Sequence, residues 1–295
     1  MNKAICEPIL EIKNLKKYYG KIRGVENVSI RLNSGEVYGF IGPNGAGKST
    51  TIRTLMNLIN KTSGIITVNG KELDKDNLEL KKIIGYLPSE IHLYDDLTVK
   101  EMLDFHASFY NEDHSKRRKQ LIDLFKLDET KKVEDLSLGN SKKLAIVLAL
   151  LHEPKILILD EPTSGLDPIM QNVLYELLLE EKEKGTTILY STHILSEITK
   201  ICDRIGIIKD GIIIKEDLVE NLEKNNMTYL TIESPDIEVI KKTLNLKIVS
   251  EYNTTIKFIN NLSSNEIIDK LSKYKINKLL IEETSIEDLF MEYYK

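Results

Sequence analysis

Eight consecutive residues, Gly42-Pro43-Asn44-Gly45-Ala46-Gly47-Lys48-Ser49, fit the spacing G-x-x-x-x-G-K-[ST]. Each residue type has a chemical reason to be there. Glycines let backbone N–H groups close around phosphates without interference from a Cβ, and a helix opening at this point adds positive potential. Lys48 supplies a point charge for the β- and γ-phosphates, and the Ser49 hydroxyl suits Mg²⁺. Thr50, next in the chain, belongs to the same phosphate-binding set. A second group of residues complements the loop. Lys155-Ile-Leu-Ile-Leu-Asp160-Glu161 reads as a buried strand ending in two carboxylates. Asp160 is placed to hold Mg²⁺, directly or through water. Glu161, on the opposite side of the pleat, could act as general base on an attacking water.

Such residues need a sheet whose strands end on one edge. The pattern supplies strands at Ile9 to Ile12, Val25 to Leu32 and Glu36 to Ile41, the last running into the glycine-rich loop and a helical stretch from Lys48 to Ile59. Further strands are expected at Gly64 to Val68, Lys155 to Leu159 and Thr186 to Tyr190. Helices are expected from Pro168 to Lys184 and from Leu195 to Cys202, and a hairpin turns at Asp210-Gly211. This alternation predicts an α/β core with mainly parallel strands. Between Thr98 and Leu151 the period is helical and reads as an insertion. Met102, Phe105 and Phe109 are expected to share one apolar face there, and Leu121, Leu124 and Phe125 another.

A polar stretch, Glu223-Lys224-Asn225-Asn226, marks a boundary. Beyond it the order strand, helix, strand, strand, helix, strand is that of a ferredoxin-like domain. A last helix opens at Thr284 with Glu287 three residues on, a capping box. Phe290 and Tyr294 on that helix read as core. The expected domains are residues 1–222, with a helical subdomain at about 96–152, and residues 226–295.

The ordered set of motifs resembles the ATP-binding cassettes of ABC transporters over roughly residues 8–220. Leu136-Ser137-Leu138-Gly139-Asn140 is similar to the family's signature loop, usually LSGGQ. Ser164-Gly165-Leu166-Asp167 resembles the D-loop, and Ser191-Thr192-His193 the switch-histidine segment. The aromatic that stacks on adenine matches Tyr19, with Tyr18 beside it as the other choice. The resemblance implies a P-loop NTPase fold with an N-terminal antiparallel β-subdomain, and ATP and Mg²⁺ as ligands. It implies two cassettes head to tail, each ATP held by the phosphate loop of one copy and by Ser137 and Gly139 of the other. The helix beginning near Ser141 would present its N-terminus to the γ-phosphate in trans. His193 would contact that phosphate and keep the attacking water in place. Two departures stand out. Leu138 and Asn140 replace the usual glycine and glutamine, and Ser89 falls where the family has the glutamine that links Mg²⁺ to the membrane partner, with Glu90 adjacent. The segment from Glu283 to Tyr294 resembles the ending of the branch that exports drugs, antibiotics and polysaccharides.

The remaining features narrow the class. A net charge of -5 argues against a nucleic-acid partner, and two cysteines, Cys6 and Cys202, form no disulfide framework. Among the histidines only His193 falls in a motif; His92, His106, His114 and His152 read as structural or surface residues. The longest apolar run, Leu144 to Leu151, is far below the roughly 20 residues a membrane span requires. The expectation is a cytoplasmic ATPase at the inner face of the cell membrane. It would act through a separately encoded permease and pair with a second copy or a paralogous cassette. A soluble ATP switch acting on ribosomes or nucleic acid usually has two cassettes or a coiled-coil insertion. A P-loop kinase leaves the signature loop and His193 without a purpose.

Overall fold

The computed structural model describes residues 8–74, 77–223 and 228–283. The helix expected after Thr284, with Phe290 and Tyr294, and Cys6 lie outside these residues. The chain divides into two compact units after Val219.

The first unit opens with β1 (Leu10–Tyr19) and β2 (Ile22–Leu32), an antiparallel hairpin turning at Gly20. Both strands extend beyond the apolar runs that suggested them. Tyr18 and Tyr19 still pair with Arg23 and Ile22, across register shifts that interrupt the alternation. Next come β3 (Val37–Ile41), buried throughout, and α1 (Lys48–Leu55). The helix stops short of Ile59 because Asn57 takes a left-handed backbone, a common helix terminator. β4 (Ser63–Val68), β5 (Lys71–Glu72), α2 (Leu78–Lys82) and β6 (Ile84–Leu87) follow.

The helical insertion consists of α3 (Val99–Ala107), α4 (Ser115–Phe125) and α5 (Leu138–Leu150). Thr98 and Glu101 form a reciprocal capping box on α3. The expected face of Met102, Phe105 and Phe109 is only partly core. Met102 is buried, but Phe105 and Phe109 are 42% and 57% exposed. They stack edge to face at 5.0 Å instead, beside Tyr94. Arg117 of α4 ties the insertion to the core through a buried ion pair with Glu181 at 2.7 Å.

The α/β core is completed by β7 (Ile156–Asp160), α6 (Pro168–Glu183), β8 (Thr187–Thr192), α7 (Leu195–Ile201), β9 (Arg204–Lys209) and β10 (Ile212–Leu218), after which α8 (Val219–Glu223) carries the chain across the division. Its ten-stranded sheet runs β5-β4-β1-β2-β10-β9-β3-β8-β7-β6. β9, β3, β8, β7 and β6 are parallel neighbours, and the N-terminal strands β1, β2, β4 and β5 pair antiparallel. The fold is an α/β P-loop core with an antiparallel β-subdomain. Cys202, at the end of α7, is buried and free.

The second unit contains β11 (Thr228–Glu233), α9 (Ile237–Leu244), β12 (Lys247–Tyr252), β13 (Thr255–Asn260), α10 (Ser264–Leu271) and β14 (Lys278–Glu283). Its antiparallel sheet is ordered β12-β13-β11-β14, the ferredoxin-like arrangement. Leu230, Ile232, Ile256 and Phe258 pack with Ile240 and Leu244 of α9 and Ile267 of α10.

Two predictions follow from buried groups in the first unit. Replacing Arg117 with Met leaves the buried Glu181 carboxylate only its half-exposed partner Lys184, at 2.7 Å, and should cost about 1–3 kcal/mol. Adding Glu181→Leu should recover most of that, as read by urea denaturation of both variants. His106 and His152 are pushed down from 6.5 to about 4 by burial first and neighbouring histidines second. The unfolded chain therefore takes up protons near pH 6.5 that the folded chain refuses until about pH 4. Stability is retained above this window and is lost as pH falls through it. Because His152 stacks on Tyr110 at 4.3 Å, Phe can replace it without losing the ring contact. Melting temperatures measured from pH 7 to pH 5 should fall less steeply for His152→Phe than for the wild type; parallel curves would contradict the assignment.

Candidate active site

Four loops leave the sheet at one edge because the strands before them stop together. Ile41 of β3 sits opposite Thr192 of β8, Asp160 of β7 opposite Ser191, and Leu87 of β6 opposite Leu159. Beyond these residues lie Gly42 to Ser49, His193, Glu161 and Ser89 respectively. The C-terminal edge of a parallel sheet is where such folds bind ligands. Here it borders a cleft of about 490 Å³.

The phosphate loop is fixed on both flanks. The Gly42 N–H donates to Thr192 O at 3.4 Å, and the Gly211 N–H donates to Ala46 O at 2.8 Å. Gly211 O in turn accepts from Glu26 and Asn27 of β2, so the hairpin turn also holds the β-subdomain against the loop. Two positions require glycine. A Cβ at Gly42 would lie 2.5 Å from Ile208 O, and Gly47, at φ +109°, would place one 2.8 Å from Gly24 O. Gly47 caps α1, which leaves the first N–H groups of the helix free for an anion.

The charged groups converge here. Lys48 is buried, and its ammonium donates to Gly42 O at 2.7 Å and to Pro43 O at 3.4 Å. It also lies 3.4 Å from Glu161 Oε1, while Glu161 Oε2 is 2.9 Å from His193 Nδ1. Glu161 is not on the pleat, contrary to the expected alternation. It lies past the end of β7 with φ +50°, so a left-handed bend rather than strand geometry directs its carboxylate. Asp160 is fully buried. Its Oδ1 accepts from the Ser191 hydroxyl at 3.0 Å, and its Oδ2 has no partner among the described residues. An orphaned buried carboxylate oxygen close to a phosphate loop suits an oxygen-seeking cation, and the Ser49 hydroxyl in the first turn of α1 is a second donor of that kind. These residues therefore fit Mg²⁺.

Tyr19, Asn44, Gly45, Gly47, Lys48, Ser49, Thr50, Ser89, Glu161 and His193 all line the cleft, together with Arg23 and Ser164. Tyr19 is 45% exposed with the Lys17 ammonium 4.7 Å over its ring, whereas Tyr18 is hydrogen-bonded to Glu26. Ser89 is half-buried; Glu90 turns away to Arg53 at 3.4 Å. Ser137 and Gly139 do not line this cleft. Ser137 is the N-cap of α5, accepting from Asn140 N at 3.3 Å, so the helix begins three residues before Ser141. The sequence reading also left three supporting groups without a role: Ser191 on Asp160, the Gly211 turn behind the loop, and Lys142. Lys142 is buried on α5 and donates to Glu161 O at 3.0 Å. In sequence a lysine on a helix reads as surface, so nothing marked it.

A phosphate loop, an adjacent acid pair and a histidine on one parallel-sheet edge define a P-loop ATPase. The ABC transporter family matches residues 25–164. The chain is 34% identical to the linearmycin resistance ATP-binding protein LnrL of Bacillus subtilis, over 96% of its length and 97% of that protein's. It is 39% identical to the bacitracin transport ATP-binding protein BcrA of Bacillus licheniformis, over 77% of this chain and 76% of the other. Among solved structures, an ATP-binding subunit of an ABC transporter superposes with a TM-score of 0.69 at 33% identity, covering 73% of this chain and 92% of its own. The cassette MJ0796, solved as a dimer in a post-hydrolysis state bound to ADP and Pi, gives 0.64 at 27% identity, covering 71% and 98%. The protein belongs to the ATP-binding subunits of ABC transporters: it binds and hydrolyses ATP to energise transport.

The crowding at Gly47 gives a direct test of the loop. Gly47→Ala should strain the backbone by about 1–3 kcal/mol and distort the turn. Calorimetric titration with ATP should show affinity falling at least ten-fold with the melting temperature lowered; unchanged affinity would contradict this account of the loop.

Proposed function

We propose that two such cassettes, identical or paralogous, close head to tail around two ATP molecules, and that a separately encoded membrane permease converts closure into export. The cassette is taken as residues 1–222 and residues 226–295 as an accessory domain. The observation that carries the reading is the Glu161 carboxylate held between Lys48 and His193 at the mouth of the phosphate loop. Among the described residues no helix is long and apolar enough to cross a membrane, which is why a permease is needed. The protein would then work from the cytoplasm, at the inner face of the membrane, with no nucleic-acid partner. The names of LnrL and BcrA support an antibiotic-like cargo.

In this reading the phosphate loop, from Gly42 to Thr50, wraps the β- and γ-phosphates and Lys48 neutralises them. Tyr19 stacks on the adenine. Ser137 and Gly139 complete the opposite site from the N-terminus of α5. Ser49 and Asp160, with Ser89 as a further oxygen donor, would hold Mg²⁺, which would add neutralisation of phosphate charge when bound. Glu161 removes a proton from water as its oxygen attacks the γ-phosphorus, and ADP departs as the bond to its β-phosphate oxygen breaks. His193, hydrogen-bonded to Glu161, orients that carboxylate and keeps the water in line.

Glu161→Gln keeps the shape and removes the base. Turnover should fall roughly 10²–10⁴-fold, while ATP binding persists and an ATP-bound dimer accumulates on size-exclusion chromatography. Hydrolysis by this variant at the wild-type rate would overturn the assignment.

A further inference from the structure

Lys142 is a buried cation to which the proposed reaction gives no task. It sits within the first turns of α5 and is 2% exposed. Burial pushes its pKa down from 10.5 to about 8, against the opposing pull of Asp160 and Glu161. An apolar side chain of similar length would fill the same space without that penalty, so the charge calls for a reason.

The reason lies at its far end. The ammonium donates to the carbonyl of Glu161 at 3.0 Å. That carbonyl belongs to the residue bent into the left-handed region, where side chains other than glycine sit under strain. The same oxygen accepts from Ser164 N at 3.3 Å, and Glu161 N donates to Ser191 O at 3.0 Å. The bend is thus held at both ends, and it aims the carboxylate at Lys48 and His193. Further contact joins α5 to this loop. A methyl at Gly165 would meet the Leu138 side chain at 3.4 Å, and one at Gly139 would meet Gly165 O at 3.2 Å.

We propose that Lys142 is a positioning residue for hydrolysis: its donor on the Glu161 carbonyl holds the catalytic carboxylate in place and ties it to the signature helix. Because Ser137 caps that helix and serves the ATP of the opposite site, a displacement of α5 there is transmitted to the base here. This deepens the two-site reading above and rests on it. ATP binding does not require the contact, whereas hydrolysis does.

The test uses the full chain with Lys142→Met, which keeps length and loses the donor, and Lys142→Gln, which restores a neutral donor. Glu161→Gln runs in parallel. Steady-state kinetics, affinity for a fluorescent ATP analogue, melting temperature and size-exclusion chromatography are read for each. For Lys142→Met, kcat should fall about ten-fold, the effect of losing one charged hydrogen bond, with KM and affinity within about two-fold. ATP-bound dimer should accumulate, and Lys142→Gln should recover part of kcat. In the Glu161→Gln background, Lys142→Met should change residual turnover by less than about two-fold, since both act through one carboxylate. Where Lys142→Met does not fold, Lys142→Leu carries the same expectations. A wild-type kcat overturns the proposal, as does a parallel loss of affinity and melting temperature without dimer accumulation. Normal turnover by Glu161→Gln alone would instead overturn the assignment of the base, whatever Lys142 does.

Discussion

The cleft depends on parallel strands that end in register. β3, β8, β7 and β6 stop within a residue or two of one another, and each passes directly into a loop that carries a functional side chain. Parallel pairing requires crossovers, and these cover both faces of the sheet with helices. The strands are therefore apolar along their length, with polar chemistry left for their ends. β3 and β7 are buried at every position, and Asp160 is the first acid after four apolar residues. Shortening β8 by one residue would withdraw Thr192 from Gly42 N and move His193 away from Glu161 together.

Charges at that edge hold one another. Lys48, Glu161 and His193 form a chain of contacts at 3.4 Å and 2.9 Å, with Lys142 on the backbone of the middle member. Lys48 and Glu161 are largely desolvated while His193 stays half-exposed, so the Lys48–Glu161 contact does most to fix the chain. A triphosphate entering the loop is a stronger partner for Lys48 than a single carboxylate is. The attraction that binds nucleotide thus also loosens Glu161 from Lys48 and leaves it to His193 and water. In the proposed reaction, binding and base activation are linked by competition for one ammonium.

What could be read in the sequence was what spacing encodes. That the phosphate loop, Asp160, Glu161 and His193 meet at one sheet edge was legible because their types and intervals have few other uses. Lys16 and Lys17 break the apolar pattern of β1, so its last turns of pairing were not legible, yet that extension carries Tyr19. β6, four residues without alternation, was missed although it delivers Ser89. Glu161 was placed on the pleat because periodicity cannot report a left-handed bend. Phe105 and Phe109 were placed on one face with Met102, but apolar spacing does not distinguish a buried ring from two exposed rings stacked on each other.

The departures in the signature loop also become physically intelligible. Leu138, where the family usually has glycine, is 76% exposed, an uncomfortable position for a large apolar side chain at a helix start. Its exposed surface lies beside Ser137, whose cap leaves N–H groups at the beginning of α5 available. In the proposed sandwich this end of α5 faces the other subunit, so Leu138 is exposed in the single chain and covered on closure. Its side chain lies near Gly165, 3.4 Å from where a methyl on that glycine would sit. In that reading Leu138 stands between the partner and the D-loop, close to the segment that begins at Glu161. Lys142, one turn further along the same helix, holds the carbonyl of that residue. Glycine at position 138 would open the helix without an apolar side chain at this spot, so in the proposed sandwich Leu138 adds apolar surface to the closing face while Ser137 and Gly139 are retained.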